Sequence, residues 1–398
     1  MNVLFNLLIF SLPLGVITRI TPFPNFSFYL HDAVAGAIFL LFLHKVIFEK
    51  EKISHPQVLN AFLIFIAIAF FSLILNFGSL TLSAFFVSVS YLLRFLIYGS
   101  IFFSIQFIKE SSTSIAKKLM VSGAIFIVFG YIQYLFYSNL RNLYYLGWDD
   151  HLYRLFSTFL DPNFAGIFLV LILLLTVQYF FLERKTKIKI VIAMFSVLAL
   201  IALYLTYSRS AFISMVLGVS ILLFLNKKIK VIIPLLFGFM LLLLFFSNLK
   251  IEGLNPLRLA SAEARVNSAR DAIYIIKDNF IFGVGFNAYR YALLRYDLRT
   301  ETGAQNSNAD AGTDNSYLFI LATTGIIGAL AFINFGWRLF QAIKKSKKQS
   351  GFKFLVQSSL SAIFINAFFI NSLFYPLIMI WIFILIGITA SETRRNLL

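Results

Sequence analysis

The 398-residue chain contains no cysteine, so neither a disulfide framework nor a thiolate metal site is open to it. It also lacks an Asp-x-Asp pair of the kind that metal-dependent nucleotide-sugar transferases use. The four histidines, His31, His44, His55 and His151, share no ligand spacing, which argues against a metal site, and no cofactor is expected. GVGFNA at 283–288 has the letters of a dinucleotide fingerprint, but no βαβ unit surrounds it, and it reads as a turn. The N-terminus has no basic n-region or small-residue cleavage site, so the first apolar run reads as a retained helix. Neither a short internal repeat nor an appended soluble domain is visible. For a phosphate-rich substrate the chain offers arginines and not a divalent cation.

What it has in excess is apolar surface. Hydrophobic residues make up 60% of the chain and the mean hydropathy is +0.86, more than a soluble fold of this size can bury. Runs of about 20 apolar residues, the length that crosses a bilayer, recur along the sequence. The expectation is an all-α polytopic integral membrane protein with about twelve transmembrane helices, one domain spanning 1–398. The spans read as 3–18, 29–48, 57–77, 83–107, 117–137, 162–182, 188–206, 210–226, 230–247, 315–336, 354–374 and 376–391. The formal charge of +17 is not gathered with aromatics on one soluble face, so nucleic acid is not expected as a partner. Instead the basic groups punctuate the apolar runs: Lys45/Lys50/Lys52, Lys109/Lys117/Lys118, Arg184/Lys185/Lys187/Lys189, Lys227/Lys228/Lys230, Arg338 to Lys353, and Arg394/Arg395. With every span counted they fall on one side, as the positive-inside rule requires, and both termini are then cytoplasmic.

The other side receives 18–28, a loop at 138–161, a TYSRS turn at 206–210 and a large loop at 248–314. Within that loop SAEARVNSARDAIYIIKDN reads as a helix. Its stripe Val266, Ala269, Ile273 and Ile276 could rest on the membrane domain or on the lipid surface. Residues 300–313 are polar and rich in Gly and Asn, and read as mobile.

A few polar residues lie where they are expensive. Arg94, in SYLLRFLIYG, is deep in a span and reads either as an ion pair that fixes packing or as part of an anion pathway. Arg209 sits in the short TYSRS turn, where snorkelling to the interface is the plainer alternative. Arg154 precedes LFSTFLDPNFAG, in which Asp161 and Pro162 read as an N-cap and first helical position. Asp314, before NSYLFILATTGIIG, could cap the next helix, accept a proton or hold a sugar hydroxyl.

Four motifs in order, RLFSTFLDPNFAGIFLVL (154–171), LTYSRSAFISMVLGV (205–219), ARVNSARDAIYIIKDNFIFGVGFNAY (264–289) and DNSYLFILATTGIIGAL (314–330), resemble the O-antigen ligase and O-antigen polymerase superfamily. The resemblance is clearest over 154–330. It implies a GT-C-like fold and a metal-independent glycosyltransferase in the bacterial inner membrane. The substrates would be polyprenyl pyrophosphate-linked donor and acceptor glycans, the active site would be periplasmic, and a chain-length regulator protein would be a partner. The family's loop arginine falls on Arg265, but the tryptophan four residues later is Ala269 here. Its turn arginine falls on Arg209, and its His-Asn pair on Asp314 and Asn315. The histidine is usual in ligases, so Asp314 favours a polymerase of repeat units. On this reading Arg265 and Arg209, with Arg270, stabilise the departing pyrophosphate, and Asp314 serves as base. Arg154, Arg94, Asn163, Asn315 and Tyr317 complete the expected substrate contacts. Arg299, in the polar part of the loop, is expected to be dispensable. A ligase acting on lipid A core is the alternative reading. A transporter or flippase would call for paired repeats, which are not seen.

Overall fold

The computed structural model describes residues 1–23, 26–234, 238, 259–299, 309–346 and 350–390. The helices are α1 (Asn2–Ser11), α2 (Leu30–Ile47), α3 (Pro56–Leu75), α4 (Leu82–Ser104), α5 (Ser112–Phe136), α6 (Pro162–Leu182), α7 (Thr186–Leu205) and α8 (Arg209–Leu225). They continue with α9 (Leu259–Asp278), α10 (Tyr289–Arg295), α11 (Ser316–Lys345), α12 (Ser350–Asn366) and α13 (Pro376–Ala390). Seven of them, α2 to α7 and α11, are long and apolar enough to cross a membrane. The protein is therefore a mostly helical, multi-pass membrane protein. Several begin where local chemistry starts a helix: Thr81 caps α4, Ser111 caps α5, and Pro occupies the first position of α3 and α6. α6 is the central helix, 78% of its apolar stretch being buried, whereas α7 is peripheral at 22%. Met194, Val197 and Ile201 of α7 face outward, as on a lipid-facing helix.

Three expectations are corrected here. The all-α reading misses a small antiparallel ribbon, β1 (Ile20–Phe23) with β2 (Phe26–Phe28), where Phe23 and Phe26 stack at 4.8 Å. The span placed at 354–374 stops as an α-helix at Asn366. Beyond it the backbone turns to meet the start of α11: Ser316 N–H donates to Ala367 O (2.8 Å), Ser316 Oγ to Ile370 O (3.3 Å), and Leu373 N–H to Ser316 Oγ (3.2 Å). The stripe read on α9 shares only Ile276 with the packed face, which is Ala272, Ile275 and Ile276, set against Phe319 and Ala322 of α11. Val266 and Ile273 of the expected stripe stay 57% and 47% exposed. The span read at 230–247 and the segment 300–308 fall almost wholly outside the described residues.

GVGFNA is a turn, and its role is to dock on α11. Val284 N–H donates to Ala322 O and Gly285 N–H to Thr323 O, at a break in α11 where Gly325 has φ +63. A Cβ at Gly325 would lie 2.2 Å from Ile281 O, so the close approach needs glycine.

The helix ends sort by charge. At one end Lys118 joins Glu110 and Asn6, Gln106 accepts from Ser54 N–H, Asn226 donates to Gln178, and Ser346 donates to Thr389 O. The described lysines of the basic clusters gather there. The connections 18–29, 137–161, 206–208, 311–315 and 367–375 therefore meet at the opposite end.

Candidate active site

All of these connections except 206–208 contribute to the wall of a cavity of about 760 Å³. Its wall carries Arg19, Arg94, Arg154 and Arg265 together with Asp149, Asp150, Asp161 and Asp314. Charges of both signs thus share one space at the end of the bundle away from the lysines.

Arg265 comes from α9 and Asp314 from the turn before α11, and the two segments are joined by Asp314 N–H donating to Ser268 Oγ at 3.1 Å. The cap of α11 is Asn315 and not Asp314: its Oδ1 accepts from Tyr317 N–H (2.9 Å) and Leu318 N–H (3.0 Å). The expectation that Asp314 caps the helix is corrected by one residue, and the Asp314 carboxylate takes no part in the cap. Burial pushes the Asp314 carboxyl above the ordinary range; Arg265 opposes that rise, and Asp161, Asp149 and Asp310 add to it.

The neighbouring motif folds around Arg154. Its Nε donates to Thr206 O at 2.9 Å and its Nη2 to Asn163 Oδ1 at 3.4 Å, while Ser208 Oγ donates to the same Asn163 oxygen at 3.2 Å. The LDPN segment and the TYSRS turn are therefore one substructure. Asp161 caps α6 through Asn163 N–H at 2.7 Å and also faces the cavity.

Arg94 is held in an ion pair and also stands in the cavity wall. It is 7% exposed and paired with Asp32 at 2.9 Å, donates to Ser27 O, and lies over the rings of Phe26, Tyr29 and Tyr91, yet it lines the cavity. Tyr98 donates to the other Asp32 oxygen. Asp32 also accepts from Tyr29 N–H at 2.9 Å, the reciprocal half of a capping box.

Of the residues read from the sequence, Asp314, Arg265, Arg154, Arg94 and Asn163 line the cavity. Arg209, Arg270, Asn315 and Tyr317 are not in its lining. Arg209 is half-buried as the first residue of α8. Arg270 is exposed, bonding Asn267 at 3.4 Å. Asn315 is the cap, and Tyr317 donates to Phe364 O at 2.8 Å. Arg299, expected to be dispensable, instead bridges Asp271 of α9 (3.1 Å) and Asp310 (3.0 Å). It thereby ties the helix carrying Arg265 to the turn carrying Asp314.

Sequence reasoning missed Arg19, His31, Asp32, Asn371 and Tyr375. A carboxylate in the first turn of an apolar span was the available signal for Asp32; the others belong to no motif. Both ring nitrogens of His31, Asn371 Oδ1 and Tyr375 Oη are buried without a hydrogen-bond partner among the described residues. Each such group costs about 1–3 kcal/mol unless something satisfies it.

Residues 194–333 match the family model Wzy_C, described as O-Antigen ligase. No curated protein matches the chain. The matched stretch runs from α7 into α11, so it carries Arg209, Arg265 and Asp314 but none of the cavity wall before residue 194. Three of the four motifs lie within it. Residues 194–333 are accordingly similar to the O-antigen ligase and polymerase superfamily, whose members are membrane glycosyltransferase-like enzymes.

Proposed function

We propose that the protein is a polymerase of lipid-linked repeat units, acting on the extracytoplasmic face of the bacterial inner membrane within a GT-C-like bundle of about twelve spans. The observation that carries the transferase part of this reading is the meeting of Arg265 and Asp314, from two separate segments, in a cavity that also holds Arg154; the preference for a polymerase rests on an aspartate, Asp314, standing where ligases usually have histidine. That cavity lies at the end opposite the lysine clusters, which the positive-inside rule assigns to the cytoplasm.

The donor is a glycan on polyprenyl pyrophosphate. An acceptor hydroxyl oxygen attacks the anomeric carbon and the carbon–oxygen bond to the pyrophosphate breaks, its electron pair leaving with polyprenyl pyrophosphate. Asp314 takes the hydroxyl proton. Its raised pKa makes it a stronger base than an exposed carboxylate. Arg265 and Arg154 stabilise the charge that develops on the leaving group, from positions fixed before the reaction begins. A single displacement inverts the anomeric centre.

The matched family's description favours a second reading, a ligase that hands a finished glycan to lipid A core. Departure of the leaving group is the same and only the acceptor differs. Purified protein in proteoliposomes, given lipid-linked repeat units alone, should build a ladder of lengthening lipid-linked chains. No ladder, with transfer only when lipid A core is added, would replace the polymerase by the ligase.

A further inference from the structure

The charged groups account for the leaving group and the proton, and they leave one part of the cavity wall unused. That part is uncharged. His31, the second residue of α2, is 1% exposed and has neither ring nitrogen paired among the described residues. Its ring stacks on Tyr29 with centroids 5.1 Å apart and planes 8° from parallel. Tyr375 stacks on Phe164 at 4.0 Å and 11°, and its hydroxyl is equally unpaired, as is Asn371 Oδ1. All five residues line the cavity.

We propose that His31, Asn371 and Tyr375 form a neutral subsite that binds a sugar ring of the glycan, separate from the arginines that face the pyrophosphate. It rests on the glycosyltransferase reading above and names which residues select the sugar. Chemistry favours a saccharide over an anion here. Pyrophosphate oxygens only accept, and the Asn371 carbonyl oxygen would repel them. An imidazole, an amide oxygen and a phenol together offer donors and acceptors, which is what sugar hydroxyls need.

The backbone holds this subsite next to the reacting groups. Ser316, two residues after Asp314, donates to Ile370 O and accepts from Leu373 N–H, and so fixes the turn that carries Asn371. On the other side Asp32, adjacent to His31, is held by Arg94 at 2.9 Å. None of the three residues lies in the matched stretch 194–333. The reaction would thus draw on Arg265 and Asp314 inside the match and on Arg154 outside it, while the choice of glycan would rest wholly on residues outside it.

Trp148 lines the same cavity and reports occupancy by fluorescence. The protein in lipid nanodiscs is titrated with the phosphate-free repeat-unit oligosaccharide released from the host's own surface polymer, and separately with inorganic pyrophosphate. Tyr375→Phe, which removes one oxygen and nothing else, and His31→Leu should each weaken saccharide binding about tenfold, the loss of one or two neutral hydrogen bonds. Pyrophosphate binding should stay within twofold of wild type, roughly the noise of such a titration. Unchanged saccharide affinity in Tyr375→Phe and in folded His31→Leu, or no saccharide binding by the wild type, overturns the subsite. Selective loss in the variants without a polymer ladder from the wild type sinks the polymerase reading and leaves the subsite standing.

Discussion

On one side of the cavity Arg94 is 7% exposed, locked to Asp32 at 2.9 Å, and surrounded by three aromatic rings. On the other, Arg265 is half-buried and acts on Asp314 through space, without an ion pair between them. The same two side-chain types give a closed pair in one place and an open one in the other. A guanidinium whose directions are filled by a carboxylate, a carbonyl and aromatic faces has few left for a ligand, and removing its partner strands a buried charge. An open arginine facing a carboxylate raised by burial can receive substrate charge and a proton. The first arrangement fixes the wall; the second suits chemistry.

The largest expected effect lies on the open side. Asp314→Asn should reduce chain extension by about 10²–10⁴-fold, the usual contribution of a positioned base. Its abundance in the membrane should stay normal, because Asn315 and not Asp314 caps α11. Arg265→Lys should cost about 10–100-fold through lost charge-assisted hydrogen bonds. Arg265→Gln should also move the pH dependence. Asp314 works only when ionised and Arg265 holds its pKa down against burial, so without the arginine the acid limb of the rate profile shifts to higher pH. A shift the other way, or normal polymer from Asp314→Asn, would remove the distinction between the two sides.

Next comes the closed pair. Asp32→Ala should destabilise the protein by about 3–5 kcal/mol, since it leaves Arg94 buried and uncompensated. Thermal unfolding of the purified variant in detergent checks this, and a wild-type midpoint would mean that Arg94 is as open as Arg265.

The smallest effect belongs to Arg299, a third of whose side chain is exposed. Solvent screening limits each of its ion pairs to about 1 kcal/mol or less, so Arg299→Lys should unfold close to wild type. It should still lower chain extension about two- to fivefold, because a lysine cannot span Asp271 and Asp310 with one planar fork. An extension rate equal to wild type would show that α9 and the Asp314 turn keep their register without the bridge.

Much of the site was legible from residues near each other in the chain. Asp161 and Pro162 announce the start of α6 because capping involves only neighbours, and Arg154 with Asn163 follows from the same segment. Arg94 stands out because a charge in an apolar run needs a partner. Its partner is 62 residues away, and nothing local distinguishes Asp32 from an ordinary first-turn carboxylate. The α9 face was misread for a related reason. Periodicity marks which residues are apolar, but the rotation that buries Ala272 and Ile275 and leaves Val266 outside depends on where Phe319 and Ala322 stand.

By itself the sequence determined that this chain lives in lipid, where its longest apolar helices lie, and that the lysines are segregated from the motif-bearing loops. Those properties follow from runs of about 20 residues whose backbone hydrogen bonds close within the same helix, so no distant contact is needed to define them. Only the tertiary structure decided that Arg94 is closed and Arg265 open, that Asn315 and not Asp314 caps α11, and that His31 and Tyr375 share one cavity wall. Pairing and burial are properties of neighbours in space, and here those neighbours come from segments far apart in the chain.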